Sequence, residues 1–296
     1  MSNMPRVIFL LVFLFILPQI VVGKPSRRGV STKEEPPSIA IRQGEVIVWT
    51  LPVPLGTQSV SGQFEKQSIQ FFKNDSESPP SFTALIGIDF THAVGAYPLD
   101  ITIGGDFGER RLMHRIEVLS TDFGTQTLTL PKGKVDLDQK TLDRVEREAE
   151  RFKEIFSRSA ERKMWRLPFY LPTEGEISGP FGQRRVINGE EKNPHTGVDI
   201  AAPLGKEVIA SNDGKIILTG EFFFNGNSIV IDHGGGVLTM YFHLSEIRVK
   251  EGMSVERGQI IGLVGQSGRA TGPHLHWGAR VHQARVDPYF LLKIGL

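Results

Sequence analysis

Residues 273–277 read Pro273-His274-Leu275-His276-Trp277, and the reading of this run decides what the C-terminal half of the chain is. Successive side chains on a strand point to opposite faces. As a strand, the run places His274 and His276 side by side on one face and turns Leu275 into a core. Two imidazoles held that close repel each other when both are protonated. The pair therefore suits a neutral, metal-binding or proton-handling site better than a packing role.

Working outward, the chain supplies partners. Upstream lies His195-Thr196-Gly197-Val198-Asp199, and between the two motifs lies Tyr241-Phe242-His243-Leu244. Catalytic zinc takes three protein ligands from His, Asp and Glu and keeps one position for water. His195, Asp199 and one histidine of the 274/276 pair make such a set. The other histidine of the pair and His243 are then free for proton transfer and charge stabilisation. The His195–Asp199 spacing would suit one helix face, but Pro194, Gly197 and Pro203 disfavour a helix, so the two must converge through an extended segment. His92, His114 and His282 read as isolated surface or core histidines. His233, before three glycines, reads as a strand-end turn residue.

This constellation resembles peptidase family M23, the lysostaphin/LytM-type zinc endopeptidases, whose pattern is H-x(3)-D, then a lone His after an aromatic-rich strand, then H-x-H. The resemblance covers roughly residues 165–290. It includes Gly179-Pro180-Phe181-Gly182-Gln183-Arg184 and Gly226-Asn227-Ser228-Ile229-Val230-Ile231-Asp232-His233-Gly234. It implies one Zn2+ per chain on His195, Asp199 and His276, and His243 and His274 as the catalytic histidines. It also implies a two-sheet β fold with the metal in an open groove, where a zinc-activated water attacks a peptide carbonyl. No His-Glu-x-x-His helix is present, so a thermolysin-like site is excluded. Arg184 and Asn193 lie near the first motif, Arg184 reading as a structural contact. Of the aromatic residues bordering the motifs, Tyr241 is a candidate for groove lining and Trp277 for core packing.

The wider chain sets the context. Its 296 residues, 40% hydrophobic and 23% charged, suit two globular domains. A net charge of +1 makes no electrostatic case for nucleic acid. Residues 1–23, with Arg6 ahead of an apolar run from Val7 to Leu17, read as a secretory signal peptide too short for a comfortable membrane span. The sequence has no cysteine, so neither disulfides nor thiolate ligands are expected. Residues 24–38 read as a flexible linker. Residues 39–132 carry short alternating segments (45–49, 68–72, 84–88, 97–103, 114–118 and 126–130) and read as an immunoglobulin-like β-sandwich accessory domain. Over 136–165, Leu142, Val145, Ala149, Phe152 and Phe156 recur at helical spacing behind a candidate N-cap, Asp138, which predicts one linking helix. Residues 166–296, β-rich again, form the metallopeptidase domain of the resemblance.

The expected protein is therefore mostly β and two-domain: an exported monomer, periplasmic or cell-wall associated, without a stable membrane span after cleavage. Its expected partner is peptidoglycan, cut in a stem peptide or cross-bridge. The competing readings are a non-catalytic wall-binding or amidase-activating protein on the same scaffold, and a zinc protease for secreted proteins.

Overall fold

The computed structural model describes residues 36–74, 78–128 and 137–294. The expected signal peptide and the linker up to residue 35 lie outside the described residues, as does the junction at 129–136. Ser38 already opens a strand. No helix among the described residues is long and apolar enough to cross a membrane.

The N-terminal lobe holds β1 (Ser38–Arg42), β2 (Val46–Pro52), β3 (Thr57–Phe64), β4 (Gln67–Gln70), β5 (Phe72–Asn74), β6 (Ser81–Gly87), β7 (Gly95–Gly105), β8 (Gly108–Leu119) and β9 (Thr125–Leu128). One sheet runs β1-β8-β7-β3-β4 and a second runs β2-β6-β5. Alternation drives the first: Leu99, Ile101 and Ile103 of β7 are buried while Asp100 is exposed. They close a core with Ile116 and Val118 of one sheet and Phe82, Ala84 and Ile86 of the other. β3 escapes the strand signal because its outward positions are Ser and Gln, yet Val60 and Phe64 bury on the same period.

β6 is buried on both faces, which is why it reads as a nearly continuous apolar run. One face meets the lobe's own core. Leu85 on the other, with Val46 of β2, packs with Val237, Ala279, Val281, Val286 and Leu291 of the C-terminal half. A methyl group added at Gly87 would stand 2.9 Å from Val281 Cβ, so only glycine permits this approach.

The helix α1 (Gln139–Phe156) is narrower than the span 136–165 that periodicity suggests. Asp138 caps it, accepting from Thr141 N at 2.8 Å. Beyond it the chain turns away because Asp232 accepts from Ser159 Oγ and Ala160 N, each at 2.7 Å. Only the C-terminal half of the apolar stripe docks: Phe152, Ile155 and Phe156 cover Leu218, Phe222, Leu238, Met240 and Phe242, while Leu142 stays exposed.

The C-terminal half comprises β10 (Glu176–Gly179), β11 (Arg184–Ile187), β12 (Glu190–Lys192), β13 (Gly197–Ala201), β14 (Glu207–Ile209), β15 (Gly214–Phe222), β16 (Gly226–Asp232), β17 (Val237–Leu244), β18 (Glu246–Ile247), β19 (Ser254–Val255), β20 (Ile260–Leu263), β21 (His274–Val281), β22 (Ala284–Val286) and a final turn of helix, α2 (Tyr289–Lys293). The large sheet runs β10-β13-β21-β17-β16-β15-β19, with β22 beside β21. A small sheet, β14-β20-β18, completes the pair. Val198, Ile200, Val208, Ile229, Ile231, Tyr241, Ile261, Leu275 and Trp277 belong to the core of this half.

Two further contacts tie the halves together. β9 adds in parallel to β11, register Arg184↔Thr125 to Ile187↔Leu128. Asp89 receives two bonds from the Arg285 guanidinium, at 2.8 and 2.9 Å. Burial alone would raise the Asp89 pKa, but the hydrogen bonds from Arg285 and Thr91 prevail and lower it to about 2. A carboxyl at about 2 when folded and about 4 when unfolded contributes stability above pH 4, and this is lost as pH falls toward 2. Asp89→Asn should therefore destabilise the protein by about 2 kcal/mol at pH 7. Denaturant unfolding across pH should show the gap to wild type narrowing below pH 4 and closing near pH 2.

Candidate metal centre

The centre is built by register. β21 lies between β13 and β17, with His276 opposite Asp199 on one side and Phe242 on the other. Leu275 and Trp277, both 0% exposed, face the core between the sheets. Asp199, His276 and Phe242 therefore share the opposite face, and the His276 ring stacks on Phe242 at 5.5 Å. His195 stands just before β13, its backbone clamped to the 181–183 turn by Gly182 N to His195 O (2.8 Å) and His195 N to Gln183 O (2.9 Å). Asp199 and His195 thus meet through extended chain, without a helix.

His195 Nε2 lies 2.9 Å from Asp199 Oδ1 and 3.0 Å from His276 Nδ1. Asp199 Oδ1 lies 2.8 Å from His276 Nδ1. Room for the rings comes from two glycines. A Cβ on Gly197 would stand 2.6 Å from His276 Nε2, and one on Gly179 would stand 2.6 Å from Asp199 Oδ2.

The two remaining histidines stand alongside. The His243 ring is 4.8 Å from His274 and 6.1 Å from His276, and His274 Nε2 is 3.8 Å from Asp199 Oδ1. Simple alternation would send His243 to the face opposite Phe242. Instead the β16–β17 register slips between Asn227 and Ile229, and His243 takes φ +64. This bulge re-aims the ring into the site. All five residues singled out in the sequence are thus brought together, and His92, His114 and His282 are left outside. His233 is fully buried between Asp213 O (2.8 Å) and Thr239 Oγ1 (2.7 Å).

Tautomers follow from the acceptors. His195 Nδ1 donates to Pro180 O, His243 Nδ1 to Ser267 O and His274 Nδ1 to Gly272 O, each at 2.8 Å, since a carbonyl can only accept. In the neutral rings, each Nε2 therefore presents a lone pair. Burial would raise the Asp199 pKa, but the His195 and His276 rings against its carboxylate hold it well below the carboxylate range. Burial lowers the pKa of His276, against the pull of Asp199. Burial, reinforced by His276, pushes His243 down to about 3. The donor set is thus a carboxylate oxygen and imidazole nitrogens converging on one point. At most one proton, on His276 Nδ1, could be shared among the three. A divalent cation satisfies all three at once, and two nitrogens with one oxygen suit zinc.

Of the other residues named in the sequence, one departs from expectation. Tyr241 does not line a groove: its ring is buried in the core and its hydroxyl serves Ser211 and Thr239. Trp277 packs in the core. Arg184 pairs with Glu191 at 2.9 Å in the β11–β12 hairpin. Its neighbour Arg185, which the sequence reading passed over, reaches Asp199 Oδ2 with Nη2 at 3.3 Å. The signal for it was the alternation of β11, which puts consecutive arginines on opposite faces.

This fold and site are those of a metallopeptidase. The model of "Peptidase family M23" matches residues 193–288. The crystal structure of a protein from Pseudomonas aeruginosa assigned to peptidase M23 is 30% identical, covering 88% of this chain and 96% of that one at a TM-score of 0.66. The chain belongs to peptidase family M23. Peptidoglycan DD-endopeptidase ShyA of Vibrio cholerae is 43% identical over 120 residues, 40% of this chain and 27% of that protein. DD-carboxypeptidase/endopeptidase Mpg of Neisseria meningitidis is 46% identical over 112 residues, 38% and 26%. The match thus spans about a quarter of the length of these curated relatives.

Gly197→Ala tests how tightly the pocket is fitted. The added carbon meets both His276 and the Trp277 carbonyl oxygen. Metal affinity, measured by chelator competition, should fall by about 10- to 100-fold.

Proposed function

We propose that this chain is an exported zinc metalloendopeptidase that hydrolyses peptide bonds of peptidoglycan. The observation that carries this reading is the convergence of His195 Nε2, Asp199 Oδ1 and His276 Nδ1, with two further imidazoles beside them. The names of the most similar curated relatives support the substrate class, and a cell-wall substrate fits the signal peptide expected over residues 1–23.

Zinc held by His195, Asp199 and His276 would supply Lewis acidity, lowering the pKa of a bound water to about 7. The chain's own residues do the rest. His243, neutral and desolvated, offers a free Nε2 lone pair as proton acceptor, its ring oriented by Ser267 O. His274 is oriented by Gly272 O, with the Asp199 carboxylate 3.8 Å from its Nε2. A protonated Nε2 can then donate to a developing oxyanion or return the proton to the leaving amine. The N-terminal lobe supplies none of the five residues. Its part is positional, through β9 on β11.

The test is metal analysis together with digestion of purified sacculi, the products read by mass spectrometry. Zinc-loaded protein that releases no peptide fragments from sacculi would sink the reading. Within it, His276→Ala should lose zinc. His274→Ala should keep zinc and lose about 10²- to 10⁴-fold in rate. Equal zinc loss in both variants would reject the division of the pair into ligand and catalyst.

A further inference from the structure

Arg185 is the charged group at the centre that metal binding and proton transfer leave unused. It lies on β11, held from both edges by β12 of its own hairpin and by β9 of the N-terminal lobe. Backbone pairing therefore sets where the guanidinium sits. Nη2 reaches Asp199 Oδ2, the side chain keeps 24% of its surface open, and the buried Nε has no hydrogen-bond partner. A guanidinium carries five N–H donors in a planar fork that matches a carboxylate. Asp199 is the one carboxylate among the described residues that pairs with it.

A second guanidinium stands close by. Arg269 lies in the loop that leads to His274, spread over the Phe224 ring at 4.1 Å, with no acidic partner among the described residues. Burial and, second, the positive charge of Arg185 lower its pKa. With a divalent ion bound, the Asp199 carboxylate is shared between the metal and Arg185, and Arg269 adds a further positive charge. The cleft is left net positive and complementary to an anionic substrate.

We propose that Arg185, with Arg269 beside it, binds a free carboxylate of the substrate next to the scissile amide and selects peptides that carry one. The proposal rests on the peptidase reading above and names its substrate class. At an amide formed by an α-carboxyl, a free α-carboxylate next to the bond can belong only to the residue that supplies the amine, because the other residue's α-carboxyl is in the bond itself. The selected substrates are therefore cross-links or chain ends whose amine-side residue keeps its α-carboxylate. A glycine bridge running on through further amides, or a carboxamide at that position, offers no anion.

The test uses two matched synthetic peptides that differ only in an α-carboxylate or a carboxamide on the amine-side residue. The wild-type zinc enzyme should show kcat/KM about 10- to 100-fold higher for the acid. Arg185→Gln should bring the acid down to the level of the amide, mostly through KM, with zinc content unchanged. Arg269→Gln should reduce the preference by a smaller factor. Calorimetry on metal-free protein adds a readout without turnover: the amine-side product should bind more tightly as acid than as amide, and Arg185→Gln should erase the difference. Equal loss on both peptides in Arg185→Gln would mean that Arg185 only props Asp199, and would overturn the proposal. So would the absence of any acid preference in the wild type, which decides the matter even if Arg185→Gln fails to fold. If the wild type cleaves neither peptide nor sacculi, the peptidase reading falls, and the calorimetric preference still decides for or against carboxylate binding.

Discussion

In β21, His276 is paired with Asp199 across one edge and with Phe242 across the other, while Leu275 and Trp277 bury themselves on the opposite face. A slip of one residue would exchange the two faces, drawing both histidines into the core and pushing Leu275 and Trp277 into the cleft. Burying these two apolar side chains is worth on the order of several kcal/mol. That packing holds the register, and the register holds the centre. The ligands need no dedicated scaffold beyond strands already fixed by core burial.

Within that frame, orientation comes from backbone carbonyls. Pro180, Ser267 and Gly272 each accept from the Nδ1 of one histidine, which fixes three rings and leaves three Nε2 atoms free. Such outer partners tune a metal site as much as the ligands do. The cost is visible in the backbone: His243 takes a left-handed conformation uncommon for a residue with a side chain, held by the bulge and by His243 N on Asn225 O.

The N-terminal lobe reaches the centre without entering it. Its sheet shares an apolar cluster with the C-terminal half, Asp89 clasps Arg285, and β9 braces the strand that carries Arg185. Phe123, just ahead of β9, packs against Phe90 and Phe181. The segment beside the candidate metal ligands is therefore folded partly by residues far away in sequence.

Much of this was legible in the chain alone. The alternation of His274-Leu275-His276, the H-x(3)-D spacing and the lone His243 point to the five candidate site residues, because strand periodicity and ligand chemistry are local properties. The helix stripe and the Asp138 cap are local too. Other features follow from contacts between distant segments. The bulge that turns His243, the pairing of Arg185 with Asp199, the burial of Tyr241 and the halt of α1 at Phe156 all depend on neighbours brought in by sheet register. Sequence by itself determined which atoms could bind a metal and move protons. Only the tertiary structure decided which of them point at one another, since direction is set by long-range pairing and packing that no local pattern encodes.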